Sequence, residues 1–220
     1  MKLKQLLLLT ALLAPVVVFA QNEKPGQKNL EFYAGVGANI TNTTPDGNYK
    51  SNGGKSYTSV LPKISVGINA YGNPMVRKFY LTLELSAGLN KYQSVYDSKV
   101  YPYSVITYGY NQMVFALTPQ ASLNIYNTDN FKWFIGAGLN FQYSTYSSKK
   151  LFAANGSSFA PLDAFDLEKF HTPVLFKTGI TLNQNIQIHA DYLTKVKLSK
   201  EGNYYDLSSQ TIQVGVNYEF

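Results

Sequence analysis

The chain contains no cysteine, which excludes disulfide scaffolds, cysteine–zinc sites, thiol catalysis and a lipid anchor attached to cysteine. Charged residues make up only 15% of the 220 residues, well below the roughly 25% of an ordinary soluble domain. Arg77 is the only arginine and the lysines are dispersed, so the basic block typical of nucleic-acid binders is missing. After the N-terminal apolar run there is no second run of about 18 apolar residues, so we expect no membrane-spanning helix.

The first twenty residues have the pattern of a secretory signal peptide. Lys2 and Lys4 precede an apolar run over residues 6–19, and Val18-Phe19-Ala20 resembles a small-residue cleavage site. An uncleaved membrane anchor is the alternative, but the run is short for a spanning helix and no stop-transfer flank follows it. The sequence therefore predicts a signal peptide over residues 1–20 and one domain over residues 21–220.

Aromatic residues are abundant, and apolar residues alternate with polar ones in eight segments. Aromatics make up 15% of the chain, with 18 Tyr and 13 Phe. The alternating segments lie at 30–40, 60–70, 79–90, 112–125, 131–142, 174–183, 186–197 and 212–220. Period-two alternation is typical of strands. The segments have 9 to 14 residues, which is enough for a tilted strand, since such a strand crosses a bilayer with roughly 9–11 residues.

The connections between these segments alternate in length. Long connections fall near 41–57, 91–109, 144–170 and 198–208, and short ones near 71–78, 127–130 and 183–185. This pattern predicts an all-β fold, an eight-stranded antiparallel up-and-down transmembrane β-barrel with both mature termini on the short-turn, periplasmic side. Because proline cannot donate to a ladder, we expect bulges or strand ends at Pro62, Pro119 and Pro173.

Alternation alone does not decide which face points outward, since a soluble lipocalin-like barrel has its apolar face inside. Three features favour the membrane barrel. Glycines lie on the polar face, where they suit a crowded lumen: Gly35, Gly37, Gly67, Gly88, Gly136, Gly138, Gly179 and Gly215. The polar face carries both charge signs, whereas the apolar face carries none. Aromatic rings stand near the strand ends, as in an interfacial girdle: Phe79, Tyr126, Phe131, Trp133, Tyr143, Tyr192, Tyr218 and Phe220.

The final strand, residues 212–220, ends the sequence on phenylalanine and resembles the C-terminal assembly signal of Gram-negative outer-membrane proteins. This resemblance implies recognition by the barrel-assembly machinery through Tyr218 and Phe220. Residues 21–220 as a whole resemble the small outer-membrane β-barrel domain family, which includes OmpA/OmpX-like and PorT-like barrels. That resemblance implies a location in the bacterial outer membrane, in contact with its lipid and lipopolysaccharide, but the fold by itself does not give a function.

Charged residues on the polar faces form the first candidate site. We expect Lys63, Glu84, Lys177, His189, Asp191 and Lys195 to project into the lumen as a charge network. The network is either a polar or proton-conducting path, or a set of buried ion pairs that fills the lumen. The second interpretation is favoured, because the interior of an eight-stranded barrel has little space left and buried charges need partners.

Catalysis is a second possibility, since some barrels that resemble this one modify lipid A with histidine, serine and a carboxylate. The mature chain has two histidines, His171 and His189, and both are predicted to face the lumen. His171 lies close in sequence to Asp163, Asp166 and Glu168, but no serine stands out as a partner. We therefore predict no catalytic residue, no cofactor and no metal site.

Tyrosines crowd the long-loop end, and seven are predicted to lie on the extracellular surface: Tyr96, Tyr101, Tyr103, Tyr108, Tyr146, Tyr204 and Tyr205. They form either a contact surface for an extracellular protein or glycan, or the outer girdle on strands that extend beyond the membrane. In the longest loop, residues 161–170 have the pattern of a short helix that would fold Leu162, Phe165 and Phe170 over the mouth, so this loop is either a lid or a disordered tip.

Together these features predict a monomeric, non-enzymatic outer-membrane barrel with a structural or surface-interaction role through its long extracellular loops. A narrow pore or transporter for ions or small solutes is the second hypothesis. A lipid A-modifying enzyme is the third. We expect no binding to nucleic acid.

Overall fold

A computed structural model describes residues 30–46, 55–72, 77–97, 105–128, 130–147, 152–153, 167–200 and 206–220. The predicted signal peptide, residues 1–20, lies outside these residues. The strands are β1 Leu30–Asp46, β2 Tyr57–Tyr71, β3 Phe79–Asp97, β4 Val105–Asn127, β5 Phe131–Leu139, β6 Phe141–Ser147, β7 Phe152–Ala153, β8 Phe170–His171, β9 Val174–Leu182, β10 Ile186–Lys197 and β11 Asp206–Glu219. Among the described residues, no helix is long and apolar enough to cross a membrane.

The strands close into a ring of eight antiparallel wall strands, as predicted. Strand β1 pairs with both β2 and β11, so the first and last strands complete the ring. β5 and β6 are two parts of the fifth wall strand, and β8 and β9 are two parts of the sixth. The two-residue strand β7 pairs with the outer part of β4. One predicted short turn is confirmed between β9 and β10, where Asn183 and Gln184 both have positive φ, as in a type I′ hairpin turn.

The prolines lie where ladders change or stop. Strand β9 begins one residue after Pro173, and the amide of Asn140 donates to the Pro173 carbonyl at 3.0 Å. Pro119 lies where the partner of β4 changes from β6 to β5. Pro62 lies where pairing of β2 with β3 ends, although its pairing with β1 continues. The expected strand end is thus found at Pro173, while β2 and β4 run through Pro62 and Pro119 without a break.

At the long-loop end the strands are longer than the sequence pattern predicted. β1 continues to Asp46 rather than residue 40, β3 to Asp97 rather than residue 90, and β4 begins at Val105 rather than residue 112. The predicted loops 41–57 and 91–109 are therefore partly strand. Beyond the membrane both faces of a strand can be polar, so the alternation that marks the spanning part disappears there.

The apolar faces point outward, which confirms the predicted orientation. Val36 and Ile64 are each more than half exposed, although each lies near the middle of a long strand. The polar faces are buried inside the ring. All eight of the predicted girdle aromatics, from Phe79 to Phe220, are also exposed on the outer surface. This is the reverse of a lipocalin-like barrel and leaves an outer surface that only a bilayer can cover.

Candidate functional site

Glu84 is the centre of the charge network predicted inside the barrel. Its side chain is 2% exposed, and its Oε1 accepts a hydrogen bond from Lys63 Nζ at 2.7 Å. Its Oε2 accepts one from the Tyr33 hydroxyl at 2.8 Å, and Lys177 Nζ lies 4.0 Å away. Lys63 also donates to Gln213 Oε1 at 2.8 Å. Every formal charge in this central ion cluster therefore has a partner across the lumen.

His189 and Asp191 extend the central ion cluster along β10. His189 Nδ1 lies 3.0 Å from Asp191 Oδ1, and both side chains are buried. Asp191 is directly opposite Lys177 in the β9–β10 register, so Lys177 lies between two carboxylates, those of Glu84 and Asp191. The two lysines of the cluster, Lys63 and Lys177, balance its two carboxylates. Five of the six predicted network residues thus come together.

Lys195 does not join them, and this part of the prediction is corrected. Its side chain is 54% exposed and pairs with Asp46 at 3.2 Å on the outer rim. The β10–β11 register shifts between Leu193 and Val196, so the inside–outside parity counted from Asp191 no longer applies. After the shift Val196, not Lys195, turns toward the interior.

A second charged layer, which we call the turn-side cluster, closes the lumen near the short turns. Arg77 Nη1 lies 2.5 Å from Glu31 Oε1. The guanidinium of Arg77 also lies over the ring of Tyr71, 5.1 Å from the ring centre. Asn69 Nδ2 donates to Glu219 Oε1 at 2.9 Å. The sequence did not predict this cluster, because Arg77 lies in a predicted turn and the pairing joins residues that are far apart in the chain.

Inward aromatic rings fill the space between the two charged layers, and glycines make room for them. A Cβ on Gly67 would lie 2.4 Å from the Tyr33 ring, and a Cβ on Gly179 would lie 2.6 Å from the Phe134 ring. Both rings are buried. The glycine-rich inner face thus has the packing role that the sequence suggested, although the inward position of Phe134 was not anticipated.

A hydrophobic cluster, which we call the loop-side cork, fills the opposite mouth. It consists of Tyr92, Tyr110, Leu167, Leu198 and Leu207, all buried. The rings of Tyr92 and Tyr110 lie 5.6 Å apart. Burial raises the pKa of the Tyr110 hydroxyl, so this ring is neutral at any physiological pH.

Backbone contacts hold the loop-side cork in the mouth. The amide of Glu168 donates to the Leu198 carbonyl, and the amide of Leu198 donates to the Leu207 carbonyl, both at 2.7 Å. Two expectations are corrected here. Residues 167–170 are extended rather than helical, and Phe170 is 69% exposed on the outer wall, so Leu167 is the residue that fills the mouth. Residues 161–166 lie outside the described residues.

The predicted extracellular tyrosines are only partly described. Tyr96 and Tyr108 lie on the outer parts of β3 and β4, and the side chain of neither is described. Tyr101, Tyr103, Tyr204 and Tyr205 lie outside the described residues. Tyr146 packs edge-on against Tyr110 at 5.4 Å and donates to the Glu168 carbonyl at 2.8 Å, so it supports the loop-side cork instead of standing free on the surface.

Both histidines are buried. His171 is buried with its Nε2 3.0 Å from the Glu168 carbonyl, and His189 is held by Asp191 inside the lumen. Among the described residues, no group of three or more His, Cys, Asp or Glu is arranged to hold a metal ion.

The ring of eight strands, the apolar outer wall and the polar packed interior decide the architecture. The chain is a small membrane-spanning β-barrel of the outer-membrane type. Strand β3 is apolar on its outer face from Phe79 to Leu89, eleven residues, which agrees with the roughly 9–11 residues that a tilted strand needs to cross a bilayer.

Comparisons with known proteins give no family for the chain. No protein-family model matches the chain, and no curated protein matches it in sequence. Among solved structures it is similar to OprG from Pseudomonas aeruginosa, with 15% identity, a TM-score of 0.47, and coverage of 88% of this chain and 97% of that one. It is also similar to the attachment invasion locus protein Ail of Yersinia pestis, with 14% identity, a TM-score of 0.45, and coverage of 88% and 100%. At these identities the likeness is one of fold alone.

Proposed function

We propose that this barrel is a non-conducting, non-enzymatic protein of the bacterial outer membrane, with a structural or surface-interaction role. One observation carries this proposal: three successive layers of mutually packed side chains cross the lumen. They are the turn-side cluster, the central ion cluster and the loop-side cork. Charges that are paired with one another are not available to conduct ions or to bind a solute.

The outer part of the barrel supports a surface role. Strands β3 and β4 stay paired from Leu89–Met113 to Asp97–Val105, so the hairpin continues for eight residues beyond the apolar band. At about 3.3 Å per residue this is roughly 25 Å of ordered hairpin along the strand direction. The outer ends of both strands, Asp97 and Val105, therefore lie well away from the membrane. The binding partner we propose is an extracellular protein or glycan.

Two finer proposals concern biogenesis. We propose that residues 1–20 are removed as a signal peptide, leaving the barrel domain over residues 21–220. We also propose that Tyr218 and Phe220 form the signal read by the barrel-assembly machinery. Both side chains are exposed on the outer wall, with their rings 5.3 Å apart, and Phe220 remains tied to β1 by its amide, which donates to the Phe32 carbonyl at 2.9 Å. We further propose that the barrel is a monomer.

The lipid A-modifying hypothesis has weaker support. Such an enzyme needs a nucleophile and a base that an acyl chain in the bilayer can reach, and a base within hydrogen-bond distance of its nucleophile. His189 and Asp191 form a histidine–carboxylate pair, but the pair points into the lumen. Among the described residues, neither histidine has a hydrogen bond to a serine hydroxyl.

Single-channel recording in a planar bilayer tests the proposed function. We expect refolded protein, residues 21–220, to give no conductance steps, because three layers of packed side chains cross the lumen. Slower migration of the boiled sample on a gel than of the unboiled one, or the reverse, shows that the barrel is folded. A general porin in the same bilayer shows that the conditions support insertion. Reproducible steps from folded protein would instead favour the narrow pore, with Lys63, Glu84 and Lys177 as the next residues to replace.

A further inference from the structure

The outer wall carries an apolar groove on the half of the barrel nearer the long loops. Its volume is about 550 Å³, and it crosses β2, β3, β4 and β6. The strand register sets Ile64, Ala87, Phe115 and Tyr143 side by side on these four strands. Ala87 is the small residue in this row, so the two large side chains beside it, Ile64 and Phe115, form the walls of the groove and Ala87 its floor.

A lysine stands above this groove on the same strand. Lys91 lies four residues beyond Ala87 toward the long-loop end, which is about 13 Å along a strand. Its side chain is exposed, and it forms no salt bridge with any residue that the structure describes. It is paired in the register with Asn111, whose side chain is also exposed. The residues between, Leu89 and Met113, are apolar and exposed, so the polar boundary of the membrane lies at Lys91.

We propose that this groove binds one acyl chain of lipid A, with the ammonium of Lys91 bound to a lipid A phosphate. An occupant of the groove must be apolar over the depth of the outer leaflet and anionic at the level of Lys91. A phosphorylated, acylated lipid of that leaflet has both properties. The inference rests on the proposed outer-membrane location, and it assigns the site to this one part of the wall.

Charge also argues against a second copy of the chain as the occupant. Two barrels that meet at this groove around a twofold axis perpendicular to the membrane have their Lys91 side chains at the same height, near that axis. Two like charges close together at a membrane boundary destabilise the contact. A lipid phosphate beside Lys91 has the opposite charge, so it stabilises binding at the groove.

Native mass spectrometry of the refolded barrel in detergent tests the site, with purified lipid A as the probe in its bisphosphorylated and dephosphorylated forms. We expect Lys91→Gln to weaken binding of bisphosphorylated lipid A roughly tenfold, the effect of losing one charge-assisted hydrogen bond, and to leave the dephosphorylated form unchanged. Ala87→Phe fills the floor of the groove, so we expect it to weaken binding of both forms.

Matched controls make the same chemical changes elsewhere. Lys78→Gln removes an exposed lysine at the short-turn end, and Ala190→Phe adds a ring to the outer wall of β10. We expect both variants to bind lipid A like the unaltered protein. Equal binding by Ala87→Phe and unaltered protein would overturn the proposal, and so would a dimer that Ala87→Phe abolishes. A barrel that conducts ions yet binds lipid A in this groove would contradict the proposed function and leave this inference intact.

Discussion

Replacing Glu84 with leucine is expected to lower the free energy of unfolding of the barrel by about 3–5 kcal/mol, the usual effect of removing one partner of a buried ion pair. Glu84 is the acceptor for both Lys63 and Tyr33, and Lys177 lies 4.0 Å from it. Without the carboxylate, Lys63 keeps its hydrogen bond to Gln213 but becomes a buried charge that has lost its hydrogen-bonded counter-ion. Urea unfolding of the refolded protein in detergent micelles, followed by tryptophan fluorescence, measures the change.

Two control variants separate an unpaired charge from a general loss of packing. In the double variant Lys63→Met with Glu84→Leu, no unpaired charge remains at this position, so we expect it to be more stable than Glu84→Leu alone. Lys195→Ala breaks the exposed rim pair with Asp46, and we expect it to cost at most about 1 kcal/mol. A loss below about 1 kcal/mol for Glu84→Leu would contradict a central role for this carboxylate.

Replacing Tyr92 with alanine is expected to cost about 3–5 kcal/mol, the range found for removing a large buried ring. Tyr92 is fully buried in the loop-side cork, where its ring contacts Tyr57 edge-on at 6.4 Å and Tyr110 at 5.6 Å. Its hydroxyl also donates to the Lys55 carbonyl at 3.3 Å. The same unfolding measurement applies.

Tyrosines elsewhere in the chain supply the controls for Tyr92. Tyr92→Phe keeps the ring and removes the hydroxyl that donates to Lys55, so we expect a cost of about 0.5–1.5 kcal/mol. Tyr126 is 55% exposed on the outer wall, and Tyr126→Ala removes a ring that packs less tightly. If Tyr92→Ala were no more destabilising than Tyr126→Ala, the long-loop mouth would not be packed as described.

The spanning part of the barrel could be predicted because the membrane imposes a simple rule on it. An outward residue there must be apolar and an inward one must fit a crowded polar lumen, so period-two alternation determines strand number and orientation. Outside the bilayer this rule ends. The stretch from Thr41 to Asp46 is polar and shows no apolar–polar alternation, although it pairs regularly with β11.

The candidate site could be predicted only in part. Lys63, Glu84, Lys177, His189 and Asp191 share the inner face by parity alone, and the structure brings them together. The parity count was wrong at Lys195, because a register shift lies between it and Asp191. No residue type in this stretch indicates the shift. The turn-side cluster was missed because the ion pair of Arg77 with Glu31 depends on how a turn folds back over the lumen. The burial of Tyr92 was not predicted, because it depends on leucines from distant segments.

Quenching of Trp133 fluorescence tests the central claim, that the apolar faces of the strands face lipid and the polar faces the lumen. Trp133 is the only tryptophan, and it is 45% exposed on the outer wall, with its indole N–H donating to Thr178 at 3.3 Å. After refolding into vesicles of lipid brominated on the acyl chains, we expect strong quenching relative to unbrominated lipid, and little quenching by iodide added to the water. Strong iodide quenching with no effect of bromine would place Trp133 in water and contradict a membrane-spanning barrel.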